Sequence, residues 1–167
     1  MTTACTSLAR RLTAPAVALL AGTGIALAPG IAQANTSGGT AVAAAPAVAP
    51  NQAAQTAVDT ALAQQGKPYA WGGAGPNSFD CSGLAQFAYA AAGVSLPHSS
   101  RTQSTLGVPV GRANLQPGDL VFFYSPVSHV AIYIGNGQIV QASTYGQPVA
   151  VTNLDYMPGY NSARRIV

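Results

Sequence analysis

Charge, sulfur and histidine are all scarce in this chain. Of its 167 residues, seven are Lys or Arg and four are acidic, all four aspartate. There are two cysteines, two histidines and one tryptophan. Each scarcity excludes something. One thiol-bearing region, two histidines and four scattered acids give no metal-ligand spacing, so neither a metal nor another cofactor is expected. Few cations leave no electrostatic footprint for nucleic acid or an anionic membrane. No apolar run reaches the roughly 20 clean residues of a membrane span. The nearest approach, from about Leu12 to Leu27, is interrupted by Pro15 and several glycines, and Pro29 follows it. We therefore expect no integral membrane segment in the mature form.

That stretch has another use. Arg10 and Arg11 precede it, and Ala32-Gln33-Ala34 follows with small residues at the first and third positions. Positive start, apolar centre and small-x-small end make a secretory signal, cleaved after Ala34. Cys5 lies ahead of the apolar stretch, so it is no lipid-attachment site. Removing residues 1–34 takes both arginines and no acid, and the formal charge falls from +3 to +1. The basic balance belongs largely to a discarded piece. Cys81 is then the only cysteine left, and it cannot form an internal disulfide. An exported protein with one thiol carries either a reactive group or an intermolecular bridge.

Uncharged Ala, Pro, Gly, Ser and Thr in residues 35–50 mark a linker. The domain reading is a signal peptide at 1–34, a linker at 35–52 and one catalytic domain at 53–167, expected as a monomer. Asn51 to Gln65 has helical spacing, ended by Gly66 and Pro68. A Gly- and Pro-rich loop follows and holds Tyr69 and Trp71. Leu84, Phe87, Ala88 and Ala91 predict a helix from Cys81, capped by Asp80 and closed by Gly93. Val94 to Gly118 reads as mostly irregular, with a helical turn near Ser100–Thr105. Five short strands follow: Asp119–Tyr124, Val130–Ile134, Gln138–Ala142, Pro148–Leu154 and Ala163–Val167. Gly135-Asn136-Gly137 turns the central hairpin. Helices first and hairpin-linked strands afterwards predict an α+β domain with a small antiparallel sheet.

Chemistry concentrates at Cys81. A free thiol is mostly protonated at neutral pH, and a helix N-terminus with a nearby imidazole favours the thiolate. His129, heading an apolar strand, is the expected base. Gln141 falls at the same end of the hairpin, and its oxygen can orient the imidazole. The N–H groups of Cys81 and Ser82 and the hydroxyl of Tyr69 are candidate oxyanion donors. Asp80 beside the thiol opposes ionisation, so it is expected to turn away, capping the helix or binding a substrate amine. Trp71 is expected to pack on its loop and shape the site. His98 ranks below His129 as the base, because its loop offers no evident orienting partner, but it can line the cleft.

Five segments carry a resemblance. They are Gly66-Lys67-Pro68-Tyr69-Ala70-Trp71-Gly72-Gly73, Phe79-Asp80-Cys81-Ser82-Gly83-Leu84, Leu96-Pro97-His98-Ser99-Ser100, Pro117-Gly118-Asp119-Leu120-Val121-Phe122-Phe123 and Ser128-His129-Val130-Ala131-Ile132-Tyr133-Ile134-Gly135. In this order they resemble the NlpC family (NlpC/p-sixty) of bacterial cell-wall cysteine peptidases, in the papain-like clan, and look most like its secreted actinobacterial members. The resemblance implies a papain-like fold, with the nucleophile helix packed on a small antiparallel sheet. It implies hydrolysis of peptidoglycan stem peptides, typically between D-γ-glutamyl and meso-diaminopimelyl residues. By position it makes Cys81 the nucleophile, His129 the base and Gln141 the third polar residue, where many relatives have His. The alternatives on the same fold are a non-catalytic peptidoglycan-binding module and an amidase or transpeptidase-type acyl transferase.

Overall fold

A computed structural model describes residues 50–167. The expected signal peptide and nearly all of the linker lie outside the described residues. Three helices run α1 (Pro50–Leu62), α2 (Cys81–Ala91) and α3 (Ser100–Gln103). Six strands run β1 (Val108–Pro109), β2 (Leu120–Phe123), β3 (His129–Gly135), β4 (Gln138–Gln141), β5 (Ala150–Asn153) and β6 (Tyr160–Arg165). They form one antiparallel sheet in the order β1-β6-β2-β3-β4-β5. The α+β class is as the element order predicts, and the helix-on-sheet arrangement is as the resemblance implies.

α1 and α2 pack on each other, and α2 lies against β3. α1 buries Ala53, Ala57, Val58 and Ala61, a single stripe at helical spacing. α2 buries Leu84, Ala85, Ala88 and Tyr89 on the side that meets them. Leu120, Phe122, Val130, Ile132 and Val140 complete this core from the sheet. Alternate residues Val121, Phe123, Ala131 and Ile139 face the other way, against Leu154 and Ala163. β2 is thus buried along its whole length. That explains why residues 120–123 read as an unbroken apolar run, since a strand covered on both faces has no polar side to alternate with.

Three differences from expectation bear on the sheet and its flanking helix. α1 starts at Pro50, inside the segment assigned to the linker, because proline suits the first helical position and its composition hides it in a Pro-rich stretch. β1 is an additional strand, two residues long and containing a proline, which is tolerated only at a sheet edge. It pairs with Arg164 and Arg165 of β6. β6 begins at Tyr160 rather than Ala163, and its register against β2 slips between Phe122 and Phe123. Its polar residues Asn161 and Ser162 conceal a strand that borders β2.

Candidate active site

The nucleophile position is built by the turn into α2. Asp80 is the N-cap in extended conformation, and its Oδ1 accepts the Gly83 N–H at 2.7 Å. Gly83 lets the helix head seat on the preceding loop. A Cβ there would lie 2.0 Å from the Gly73 carbonyl oxygen. The Gly73 carbonyl also accepts the Asp80 N–H at 2.8 Å. Cap and contact together leave the N–H groups of Cys81 and Ser82 unspent by the helix, pointing to the thiol.

The base is set by the sheet. Ile132 pairs with Val140 across β3 and β4. His129 precedes Ile132 by three residues and Gln141 follows Val140 by one, so both fall on the same face. The His129 Nε2–H donates to Gln141 Oε1 at 2.6 Å, and both side chains are buried. Gln141 Nε2 donates in turn to the Met157 sulfur at 3.3 Å. With Nε2 engaged, Nδ1 is the ring nitrogen left to accept a proton. The N–H of Val130, the next residue along β3, donates to the Cys81 sulfur. The head of α2 and the start of β3 therefore meet at the thiol.

The electrostatics differ from the sequence expectation in one respect. Burial pushes the Cys81 thiol above its ordinary value, and the Asp80 charge adds to this, against the lowering by the Val130, Ser82 and Cys81 N–H groups. Burial likewise pushes His129 below its ordinary value, partly offset by Gln141. Both shifts favour uncharged forms. At rest, both shifts favour a protonated thiol at Cys81 and an uncharged imidazole at His129.

Cys81 opens on a cleft of about 290 Å³, lined in part by Trp71, Asp80, Cys81, His98, Ser100 and Ser128. Tyr69 is near enough that burial and the Cys81 and Asp80 charges raise its hydroxyl above the ordinary value. Its ring meets Tyr145 edge-on at 5.0 Å. Trp71 does not pack on its loop as expected. Its side chain is 80% exposed and stands at the cleft wall, since the loop's own glycines leave nothing for an indole to bury against. His98 does have an orienting partner. Its Nε2 lies 2.8 and 2.9 Å from the two oxygens of Asp80. Asp80 also accepts from Gly72 N–H at 2.9 Å and from the Ser82 hydroxyl at 3.1 Å. The capping role is filled, and no lone pair remains for a substrate amine.

Three residues that the sequence reading did not single out support the site. Gln103 is fully buried and donates to Pro97 and Ser82 carbonyls at 2.8 and 3.0 Å. Tyr145 props Tyr69 and accepts the Trp71 N–H at 3.4 Å. Ser128 closes the cleft beside His129. A larger cavity of about 410 Å³, lined by Ala54, Asp119 and Arg165 among others, holds no nucleophile, and its carboxylate and guanidinium are already paired. Among the described residues there is no cluster of three or more metal-ligating side chains and no helix long and apolar enough to cross a membrane.

A cysteine heading a helix, packed on an antiparallel sheet whose strand presents a histidine oriented by an amide, defines a papain-like α+β domain. Residues 66–163 match the NlpC/P60 family, and the chain belongs to that family. It is 53% identical over 108 residues to a probable endopeptidase of Mycobacterium tuberculosis, covering 65% of this chain and 28% of that protein. A probable endopeptidase of Corynebacterium glutamicum is 46% identical over 121 residues, 72% of this chain and 56% of that one. The chain thus spans between about a quarter and a little over half of these relatives. Among solved structures, the peptidoglycan hydrolase RipB of M. tuberculosis superposes with a TM-score of 0.66 at 33% identity, covering 80% and 74% of the two chains. The P60 domain of an M. avium subspecies paratuberculosis antigen gives 0.66 at 33%, covering 71% and 97%.

Proposed function

We propose that this is an exported cysteine endopeptidase that hydrolyses peptidoglycan stem peptides at the D-γ-glutamyl–meso-diaminopimelate bond. The observation that carries the reading is the His129–Gln141 hydrogen bond of 2.6 Å on the strand whose next N–H reaches the Cys81 sulfur. Names borne by the relatives, endopeptidase and peptidoglycan hydrolase, supply the substrate class. The leader-like residues 1–34 supply the route out of the cell.

In this reaction His129 Nδ1 takes the thiol proton as sulfur attacks the γ-glutamyl carbonyl carbon. The carbonyl π electrons move to oxygen, where the Cys81 and Ser82 N–H groups and the Tyr69 hydroxyl receive them. The C–N bond then breaks, and the imidazolium delivers its proton to the leaving amine. Water, deprotonated by His129, attacks the thioester and frees the acid and the thiol. Digestion of purified peptidoglycan with residues 35–167, beside Cys81→Ala, tests the reading by product mass. Cut stem peptides with the native protein and none with the variant are expected. Release of whole stems would make it an amidase, and no product from either protein would leave only a binding module. Mass analysis of the protein from culture medium tests export, with Asn35 expected as its first residue.

A further inference from the structure

Gln141 holds the His129 ring, and an amide can face a ring with either end. Its oxygen and nitrogen ends have nearly the same shape but opposite effects on an imidazole. With oxygen toward the ring, Nε2 must carry the hydrogen, and Nδ1 is open to accept a proton. With nitrogen toward the ring, Nε2 must accept, the hydrogen sits on Nδ1, and the neutral ring has no base there. Shape does not choose between the two. The choice falls to whatever meets the far end of the amide.

Met157 is that partner. Gln141 is only 6% exposed, so bulk water does not serve its amide. Its Nε2 donates to the Met157 sulfur at 3.3 Å while its Oε1 accepts from His129 at 2.6 Å. A thioether accepts and never donates. The reversed amide would set its oxygen against sulfur, lone pair to lone pair, and lose the bond at that end. Met157 is itself held firmly. Buried Leu154 opens a single 3-10 turn over Leu154–Tyr156, and the Met157 N–H donates back to the Leu154 carbonyl at 3.2 Å. Met157 then packs on the cluster that contains Phe123, Ile139 and Leu154. Ile139 and Gln141 share one face of β4, which is why the amide reaches the sulfur.

We infer that Met157 is a positioning residue: its sulfur, a partner that only accepts, turns the Gln141 amide oxygen toward His129 and so fixes the ring tautomer that leaves Nδ1 open. This deepens the endopeptidase reading and rests on it for the role of His129. An apolar side chain of the same size would fill the same space. It would leave the amide nitrogen buried without an acceptor and the amide free to reverse.

Met1 is the only other methionine of the chain. Incorporation of norleucine therefore exchanges the Met157 sulfur for a methylene and keeps the length and shape of the side chain. On a soluble stem peptide, kcat is expected to fall roughly three- to tenfold with KM little changed. The ring-nitrogen resonances of the two histidines, told apart with His98→Gln, report the tautomer. Neutral His129 is expected as a single Nε2–H form in the native protein, and as a mixture with the Nδ1–H form in the norleucine protein. Gln141→Glu separates this effect from packing. A carboxylate offers oxygen whichever way it turns. In that background norleucine is expected to leave kcat and the tautomer where Gln141→Glu alone puts them. A His129 tautomer unmoved by norleucine, or an equal proportional fall of kcat in the native and Gln141→Glu backgrounds, overturns the inference. If the norleucine protein does not fold, Met157→Leu removes the same acceptor and is read the same way. Failure of the peptidase reading is distinct: native protein would leave stem peptides uncut while norleucine still shifted the His129 tautomer.

Discussion

At Cys81 and His129, burial sets the pH behaviour. The protonated ring cannot accept the thiol proton, and burial holds the ring below its ordinary value of 6.5. The acid limb of kcat/KM is therefore expected below pH 6.5, so activity persists to lower pH than an unperturbed histidine allows. In His129→Ala the thiol titrates alone, and its reaction with iodoacetamide is expected to inflect above 9.0, the value from which burial raises it. Rate–pH profiles of both proteins check the pair of statements. Gln141→Ala removes the acceptor that fixes Nε2–H. The ring can then turn or take the other tautomer, and kcat is expected to fall roughly 10–100-fold with KM little changed. Steady-state kinetics on a soluble stem peptide read this. Much of the site was legible at this scale. Cysteine, histidine and amide are rare or chemically pointed residues, so Cys81, His129 and Gln141 stand out as candidates along the chain alone. The Asp80–His98 contact was not legible, because 18 residues of chain separate the partners.

At the scale of elements, the loop before α2 and the head of α2 act as one unit. Gly83→Ala would force a Cβ to within 2.0 Å of the Gly73 carbonyl oxygen, which is backbone and cannot rotate away. Either the helix head or the loop must shift. We expect a loss of about 2–4 kcal/mol, measured by urea unfolding, together with loss of activity greater than the remaining folded fraction explains. The sequence announced α2 well, since an acidic N-cap, an apolar periodicity and a terminal glycine agree. It announced β3 and β4 well for the same reason, with β-branched runs around Gly135-Asn136-Gly137. The start of β6 and all of β1 escaped. β1 is only two residues long and holds a proline, and β6 opens with Tyr160 and the polar pair Asn161-Ser162, so both are strands only because a neighbour supplies hydrogen bonds.

Across the whole molecule, one buried ion pair ties the end of β6 to the start of β2. Asp119, 1% exposed at the start of β2, accepts from Arg165 Nε and Nη2 at 2.8 Å each and from the Gln116 N–H at 2.7 Å. Arg165→Ala leaves that carboxylate buried with one donor, and a loss of roughly 2–4 kcal/mol is expected in urea unfolding. Protonation adds a second global effect. His129 is lowered by folding, so its stabilisation is present above pH 6.5 and is lost as pH falls through its folded value. Cys81 is raised by folding, so its stabilisation is present below 9.0 and is lost as pH rises through its folded value. Thermal midpoints are expected to plateau between these limits and decline on both sides.

The sequence by itself determined the class of fold, the helix that carries the thiol, the hairpin that carries His129 and Gln141 and the residues eligible for chemistry. Periodicity, capping and turn residues act over a few positions, and such short-range physics is readable along a chain. Only the tertiary structure decided which groups neutralise one another. It buried Cys81 and His129 enough to favour their uncharged forms, used up every lone pair of Asp80, and brought His98 to that carboxylate while leaving Trp71 in the open. Those outcomes depend on desolvation and on contacts between distant segments, and neither exists until the chain has packed.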